Sequence, residues 1–377
     1  MLYIHIPFCH RKCSYCAFYS KVTQDDKQHY VDALCREIRL RSKADSAVKY
    51  GSKLHTVYFG GGTPSMLVVG QLGQIVETIR QCYDLSELEE ATLECNPEDI
   101  TGDFLHQLCR LDFFNRLSLG VQTLNDEALQ MLNRRHSSQQ ALNAIQYIAD
   151  AGIPHLSVDL IYGLPGQSVE MWTEDLERLG NFKYFESVDH LSAYALTIES
   201  GTMLEYQIAK GLVLPPSDDL QIKQYETLLK KARSMGFLQY EISNFERNNG
   251  HSRHNSRYWQ RIPYMGIGAS AHSFDGCSRR WNVSDIQQYI AGVENNGSYY
   301  DFETLSDRDA FNEYVMTSLR TSRGIEKKMI DDVFMTHLNN RIGKFIVKGW
   351  LVETEKGFVP TPKGLLMADG MAVELFA

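Results

Sequence analysis

Cys9, Cys13 and Cys16 stand in the run Cys9-His10-Arg11-Lys12-Cys13-Ser14-Tyr15-Cys16, a CxxxCxxC spacing that gathers three thiolates within eight residues. A cubane iron-sulfur cluster ordinarily takes four cysteine ligands, so three of them leave one iron open. S-adenosylmethionine is the usual occupant of such an iron. Its amino and carboxylate groups chelate the metal and present the sulfonium for one-electron cleavage, chemistry that belongs to the cofactor pair. Zinc is the competing reading. Its sites favour CxxC pairs completed by a second pair or by histidines, and no such partner pair follows in this chain. The remaining cysteines, Cys35, Cys82, Cys95, Cys109 and Cys277, are scattered singly through apolar segments, and they read as buried free thiols rather than a disulfide framework.

Other polar groups sit where a ligand could be held. Gly60-Gly61-Gly62-Thr63-Pro64 allows close backbone approach and positive φ, as would a tight turn with no ligand. Glu94 and Asp159 are acids in otherwise apolar runs, where a buried charge needs a partner. That partner is either a ribose or another polar edge of the nucleoside, or Arg116 or Arg134 in a salt bridge. Gln122 is ambiguous in the same way. The segment His254-Asn255-Ser256-Arg257-Tyr258-Trp259 combines a possible axial imidazole with aromatic faces and a cation, groups that suit a porphyrin. It equally suits an aromatic linker packed on the fold with His254 hydrogen-bonded, and residue chemistry favours the linker.

Short β-rich runs alternate with helical patterns and set these groups in place. The runs cover Leu2 to Ile6, Thr56 to Phe59, Ala91 to Cys95, Arg116 to Gly120, His155 to Ile161 and His190 to Leu196, with apolar helical spacing between them at Tyr30, Val31, Leu34, Cys35 and Ile38 and at Ala141, Leu142, Ile145 and Ile148. Such alternation predicts parallel βα units, six of them, forming a partial (β/α)6 TIM-like barrel within an α/β fold. A doubly wound sheet is the competing architecture. The cysteine loop, the glycine turn, Glu94-Cys95-Asn96-Pro97 and Gly120-Val121-Gln122 each fall at the end of a strand, where barrels build their sites. The run Gln239 to Ser243 predicts an edge strand. A loop-rich stretch from Asn248 to Trp259 follows, and from Asp307 helical patterns end in two short strands, Trp350 to Glu353 and Phe358 to Thr361. The expected division is 1–245 for the barrel, 246–305 for a connecting segment and 306–377 for a mainly helical, winged-helix-like domain.

A net charge of -9 argues against a broad phosphate-binding surface, so no nucleic acid is expected and the tail is read as a packing or partner element. The segments Arg134-Arg135-His136 and Lys230-Lys231-Ala232-Arg233 are local basic clusters only. No apolar run approaches the roughly 18 residues of a membrane span. The chain opens without a charged, apolar and cleavable leader, and the expected setting is a reducing cytoplasm, with peripheral membrane association only through partners.

The motifs Tyr3-Ile4-His5-Ile6-Pro7-Phe8-Cys9, GGGTP, Glu94-Cys95-Asn96-Pro97, Leu119-Gly120-Val121-Gln122 and Asp159-Leu160-Ile161-Tyr162-Gly163-Leu164-Pro165 resemble the radical S-adenosylmethionine superfamily, in the branch of HemN, the oxygen-independent coproporphyrinogen III oxidase. Within it the chain is most similar to the HemW family of haem chaperones. Phe18 stands where the oxidase pattern carries a further cysteine, the oxidase's N-terminal extension is not seen, and His254, Asn255, Tyr258 and Trp259 match an HNxxYW signature. The resemblance implies a 4Fe-4S cluster on Cys9, Cys13 and Cys16. It implies an S-adenosylmethionine site lined by Tyr3, Tyr15, Gly61, Gly62, Thr63, Glu94, Gln122, Arg134, Asp159 and Ala195. It also makes His254, Asn255, Tyr258 and Trp259 the haem candidates.

The expected function is therefore a haem chaperone that delivers haem to acceptor haemoproteins such as respiratory enzymes, with haem transfer expected over catalysis and homodimerisation left open. Oxidative decarboxylation of coproporphyrinogen III is the alternative, and radical modification of RNA or protein a third.

Overall fold

The computed structural model describes residues 1–22, 27–44 and 53–377. Six strands run parallel in chain order: β1 (Leu2–Ile6), β2 (Thr56–Gly61), β3 (Glu90–Cys95), β4 (Arg116–Gln122), β5 (His155–Tyr162) and β6 (His190–Ala195). They are joined by α1 (Lys27–Ala44), α2 (Val69–Cys82), α3 (Gly102–Cys109), α4 (Asp126–Met131) with α5 (Ser138–Asp150), and α6 (Val169–Gly180). The spatial order is the sequence order. A doubly wound sheet would reverse direction at a switch point, and this one does not. Successive right-handed crossovers therefore stack the helices on one face, and the sheet is the partial TIM-like barrel expected.

Alternation within the strands decides which side is which. On β1, Leu2, Ile4 and Ile6 are fully buried against the helices, and Tyr3 and His5 face the other way. The same holds for Val57 and Phe59 against Thr56 and Tyr58, for Leu93 against Thr92 and Glu94, and for Leu117 and Leu119 against Arg116 and Ser118. The barrel lumen is thus polar and its outer layer apolar. Helices α3 to α6 are started by residues that favour caps, Thr101, Asn125, Ser137 and Ser168. Ser137 accepts from Gln140 N–H, and the Gln140 side chain returns the bond to Ser137 N–H, a capping box opening α5.

Beyond β6, α7 (Met203–Ala209) and α8 (Asp218–Ser234) lead to β7 (Leu238–Gln239) and β8 (Asn244–Glu246). The single edge strand expected over 239–243 is corrected: the chain turns a corner there, and β8 pairs antiparallel with both β6 and β7. The stretch read as loop contains α9 (Arg253–Trp259), capped by Ser252. After it β9 (Met265–Ile267) joins the sheet parallel to β1. Next come β10 (His272–Phe274), β11 (Ser278–Asn282), α10 (Ile286–Glu294) and β12 (Tyr300–Thr304), whose strands form an antiparallel sheet. Met265, Ile267, Tyr289 and Val293 share the barrel's apolar core.

The tail comprises α11 (Asp307–Leu319), β13 (Ile325–Glu326), α12 (Asp332–Val347), β14 (Leu351–Glu353), β15 (Gly357–Pro360), α13 (Pro362–Leu366) and α14 (Ala368–Leu375). The expected hairpin is present as β14 and β15, with β13 on its far side. The chain does not end there, however. Ala368, Met371, Ala372 and Leu375 recur at helical spacing, and they close a second core with Phe311, Val315, Leu338 and Phe345. No helix among the described residues is long and apolar enough to cross a membrane.

Candidate functional site

The polar lumen places side chains in cross-strand rows. Register pairs Tyr3 with Tyr58, Glu94 with Ser118, Gly120 with Asp159 and Asp159 with Ser192. Glu94 accepts from the Tyr58 hydroxyl at 2.6 Å and from Gly61 N–H at 3.1 Å. Burial pushes its carboxyl up to about 7, against the two hydrogen bonds, and Asp159 adds to the rise. Asp159 accepts from Ser118 Oγ at 2.9 Å and from Ser157 Oγ at 3.2 Å, and burial raises it too. Neither acid forms a salt bridge with Arg116 or Arg134. Arg116 donates instead to Gly250 O at 2.6 Å. Hydroxyls, joined at Glu94 by Gly61 N–H, hold both carboxylates, and sequence reasoning missed Tyr58, Ser118 and Ser157 although their period-2 placement marks them.

The cysteine loop lies over this mouth and is pinned from two sides. Cys9 N–H donates to Lys21 O at 3.0 Å, and Ser14 N–H donates to Leu132 O at 3.1 Å. Two sulfurs have donors: Thr63 Oγ1 lies 3.5 Å from Cys9 Sγ, and an Arg134 terminal nitrogen lies 3.5 Å from Cys13 Sγ. Burial raises the thiols of Cys9 and Cys16, the latter to about 11. No set of three His, Cys, Asp or Glu side chains among the described residues converges on one metal ion. A cluster does not ask for that, since each thiolate binds a different iron, whereas a zinc ion does. The three cysteines fit a cluster, and two of them are flanked by sulfur-directed donors of the kind that tune such a group.

Arg134 ties the mouth together. It donates to Asn96 Oδ1 at 2.7 Å and to Gly120 O at 2.8 Å. Neighbouring Tyr15 and Cys13 hold it charged despite burial, and its Nε is buried without a partner among the described residues. Asn96, not foreseen as a site residue, also donates to Thr63 at 3.2 Å. Gly61 has φ +111°, and a Cβ there would fall 2.4 Å from the His5 ring. At Gly62 a Cβ would meet Phe8 O at 2.7 Å. Both glycines are demanded by the protein's own packing, whatever ligand lies beyond. Gln122 is held at φ +68° where β4 bulges, a left-handed conformation that costs a non-glycine residue. Tyr3 donates to His5 or accepts from it at 3.0 Å, Tyr15 packs on Leu132, Leu164, Leu196 and Leu204, and Ala195 ends β6, exposed at the rim.

His254, Asn255, Tyr258 and Trp259 lie at the opposite, N-terminal end of the strands. Glu90, opening β3, accepts from Arg253 N–H at 2.8 Å and His254 N–H at 3.1 Å, so α9 plugs that end of the barrel. His254 is fully buried. One ring nitrogen meets Thr56 Oγ1 at 2.8 Å, the other Tyr258 Oη at 3.1 Å, and burial holds the ring neutral, well below its ordinary range. Three of the five cysteines expected to be buried are not: Cys109 in the last turn of α3 and Cys277 in the turn before β11 are exposed, and Cys82 is half-buried. Leu108 packs inward beside Cys109, whereas Cys277 sits in a polar turn whose N–H groups donate to Asp275.

The radical SAM superfamily model matches residues 3–179. The protein named haem chaperone HemW from Lactococcus lactis is 32% identical over 92% of this chain and 88% of its own length. The chain belongs to the radical SAM superfamily, in its HemN/HemW branch. The HemW of Bacillus subtilis is 31% identical over 97% of this chain and 96% of its own. Coproporphyrinogen III oxidase, HemN, from Escherichia coli has the same fold, with a TM-score of 0.83 over 100% of this chain and 89% of that one at 24% identity. Membership of the radical SAM superfamily implies a 4Fe-4S cluster and S-adenosylmethionine, a pair that supplies reducing electrons and, on cleavage, a carbon radical.

Proposed function

We propose that this protein is a haem chaperone that binds haem and passes it to acceptor haemoproteins, on a core that holds a 4Fe-4S cluster and S-adenosylmethionine. The observation that carries the reading is likeness over nearly the whole chain to proteins named haem chaperone HemW. In this reading Cys9, Cys13 and Cys16 hold the cluster. Tyr3, Tyr15, Gly61, Gly62, Thr63, Glu94, Gln122, Arg134, Asp159 and Ala195 line the nucleoside site, with Glu94 and Asp159 as acceptors and the unpartnered Arg134 Nε as a donor. The haem candidates remain His254, Asn255, Tyr258 and Trp259, and iron reaches the buried His254 only if α9 lifts from the barrel. Trp259 already lines an open cleft of about 130 Å3 with Tyr240, His251, Tyr314 and Arg323. A cytoplasmic location and respiratory haemoproteins as acceptors belong to the same proposal.

The second reading, radical decarboxylation of coproporphyrinogen III, is favoured by the fold shared with HemN. Against it, the place of the oxidase's further cysteine holds Phe18, 70% exposed. Anaerobically reconstituted protein separates the two. Saturable, stoichiometric haem uptake with no decarboxylation of coproporphyrinogen III supports the chaperone; repeated decarboxylation turnovers replace it with the oxidase.

A further inference from the structure

Helix α7 rides on the cysteine loop. Its first turn is capped by Thr202, its Leu204 N–H donates to Ser14 O at 2.8 Å, and Leu204 and Ile208 pack with Tyr15, Leu132 and Leu196. The other face is bare. Met203 is 58% and Tyr206 55% exposed, and with Lys210 they follow one another at i, i+3 and i+7 along one side. The chain leaving the helix carries Leu212, 71% exposed, and Leu214, 80% exposed, while Val213 between them tucks into the apolar cluster. Leu212 N–H donates to Gln207 O at 2.9 Å, which folds this chain back on the last turn of α7, and large apolar side chains held in water beside a functional loop mark a binding surface.

We propose that this face of α7 is where ferric haem first docks, with the Tyr206 oxygen on its iron; the inference rests on the haem-chaperone reading and names the surface that takes the ligand. The occupant is chosen by chemistry. Leu212 and Leu214 offer an apolar shelf to the macrocycle, and tyrosine and methionine are both haem-iron ligand types. Both side chains approach from one side, so one of them takes the iron. Ferric iron prefers the harder phenolate oxygen to the thioether, and as the Fe–O bond forms the phenol proton and the haem's axial water both leave to solvent. Lys210 Nζ stands 5.8 Å from the centre of the Tyr206 ring and has no carboxylate partner among the described residues, which leaves it for a propionate. A membrane surface would call for a rim of several basic residues, and from Thr197 to Asp219 the chain carries Lys210 alone. The Leu204–Ser14 bond gives the cluster loop a direct hold on the haem-bearing helix.

The test is a haemin titration of anaerobically reconstituted protein, comparing the parent with Tyr206→Phe and with Leu212→Ser/Leu214→Ser, followed by the Soret band and the phenolate-to-iron charge-transfer band. All these side chains are exposed, so melting temperatures are expected to match. Tyr206→Phe is expected to abolish the charge-transfer band and raise Kd about tenfold, about 1.4 kcal/mol; the double serine variant is expected to raise Kd similarly and keep the band. Saturable binding by the parent, with affinity and spectrum unchanged in both variants, overturns the α7 site and leaves the chaperone reading standing. No saturable binding by the parent overturns the chaperone reading, and the α7 site with it.

Discussion

The imidazole of His254 stacks on the ring of Tyr58, centroids 5.0 Å apart and 26° from parallel, and the Tyr58 hydroxyl donates to Glu94 at 2.6 Å. The plug at one end of the barrel is therefore in contact, through a single tyrosine, with the carboxylate at the other. Removing the imidazole empties a fully buried site and strands the hydrogen bonds to Thr56 and Tyr258, so His254→Ala is expected to cost about 3 kcal/mol in urea unfolding. The pH dependence has a definite sign. Burial depresses this histidine well below 6.5, so under acid conditions the unfolded chain binds a proton that the folded chain refuses, and stability from this group is lost as pH falls below 6.5. The stability gap between parent and His254→Ala should accordingly shrink from pH 7 to pH 5. A gap that stays constant would mean that the ring is not held neutral.

Glu94 behaves in the opposite sense. Its folded carboxyl is raised from 4.5 to about 7, so between those values the folded protein holds a proton that the unfolded chain has lost, and stability falls as pH rises through that window. S-adenosylmethionine is cationic at its sulfonium, and only ionised Glu94 attracts it. Affinity measured by equilibrium dialysis is expected to rise severalfold from pH 6 to pH 8. Glu94→Gln should flatten that rise and bind weakly throughout. A pH-dependent rise that persists in the glutamine variant would remove Glu94 from the nucleoside site.

The strands were readable because β1 to β6 each pair an apolar face with a polar one, and the motifs mark their ends. Legible too were the thiols, since three cysteines in eight residues have few structural uses. What escaped the sequence was pairing at a distance. Glu94 and Asp159 announce a need for partners, but whether an arginine or a hydroxyl answers depends on register, and register set Ser118 and Tyr58 beside them. The edge at 239–243 was lost because a run of strand-forming residues also tolerates a corner when both flanks find partners in β6 and β8. Helix α9 was hidden by composition: asparagine, serine and histidine favour loops in isolation, and the carboxylate of Glu90, over 160 residues away in sequence, supplies the anion that its N-terminus needs. α14 could have been found from the spacing of Ala368, Met371, Ala372 and Leu375.

Glu37 offers a test of how the segment after α9 is fastened to the barrel. It is fully buried on α1 and accepts from Tyr289 Oη at 2.6 Å, Gly268 N–H at 2.9 Å and Asn282 Nδ2 at 2.9 Å, with Arg41 and Arg280 each 3.8 Å away. These partners come from α1, α10, β11 and the turn after β9. Glu37→Ala strands the buried donors of Tyr289, Gly268 and Asn282 and removes the carboxylate that faces Arg41 and Arg280, and about 3–5 kcal/mol of stability should be lost. Hydrogen exchange should rise first at Gly268 and along α10. Uniform exchange across the chain would place Glu37 in the barrel's global unfolding unit instead.

Arg134 should tune the cluster rather than build it. Its guanidinium reaches Cys13 Sγ at 3.5 Å while bracing Asn96 and Gly120, so Arg134→Gln leaves all three thiols in place but removes a positive charge and a donor beside one sulfur. Reduction adds negative charge to a cluster, and hydrogen bonds to its sulfurs favour the reduced state. Iron and sulfide content after anaerobic reconstitution should therefore match the parent, while the midpoint potential, read by EPR during a redox titration, moves more negative. Cys13→Ala is expected to lose the cluster outright, and Cys109→Ala, an exposed thiol away from the loop, to keep it. If Arg134→Gln left the potential unmoved and the iron content normal, the guanidinium would be a brace for the loop alone, and its bearing on the cluster's electronics would be ruled out.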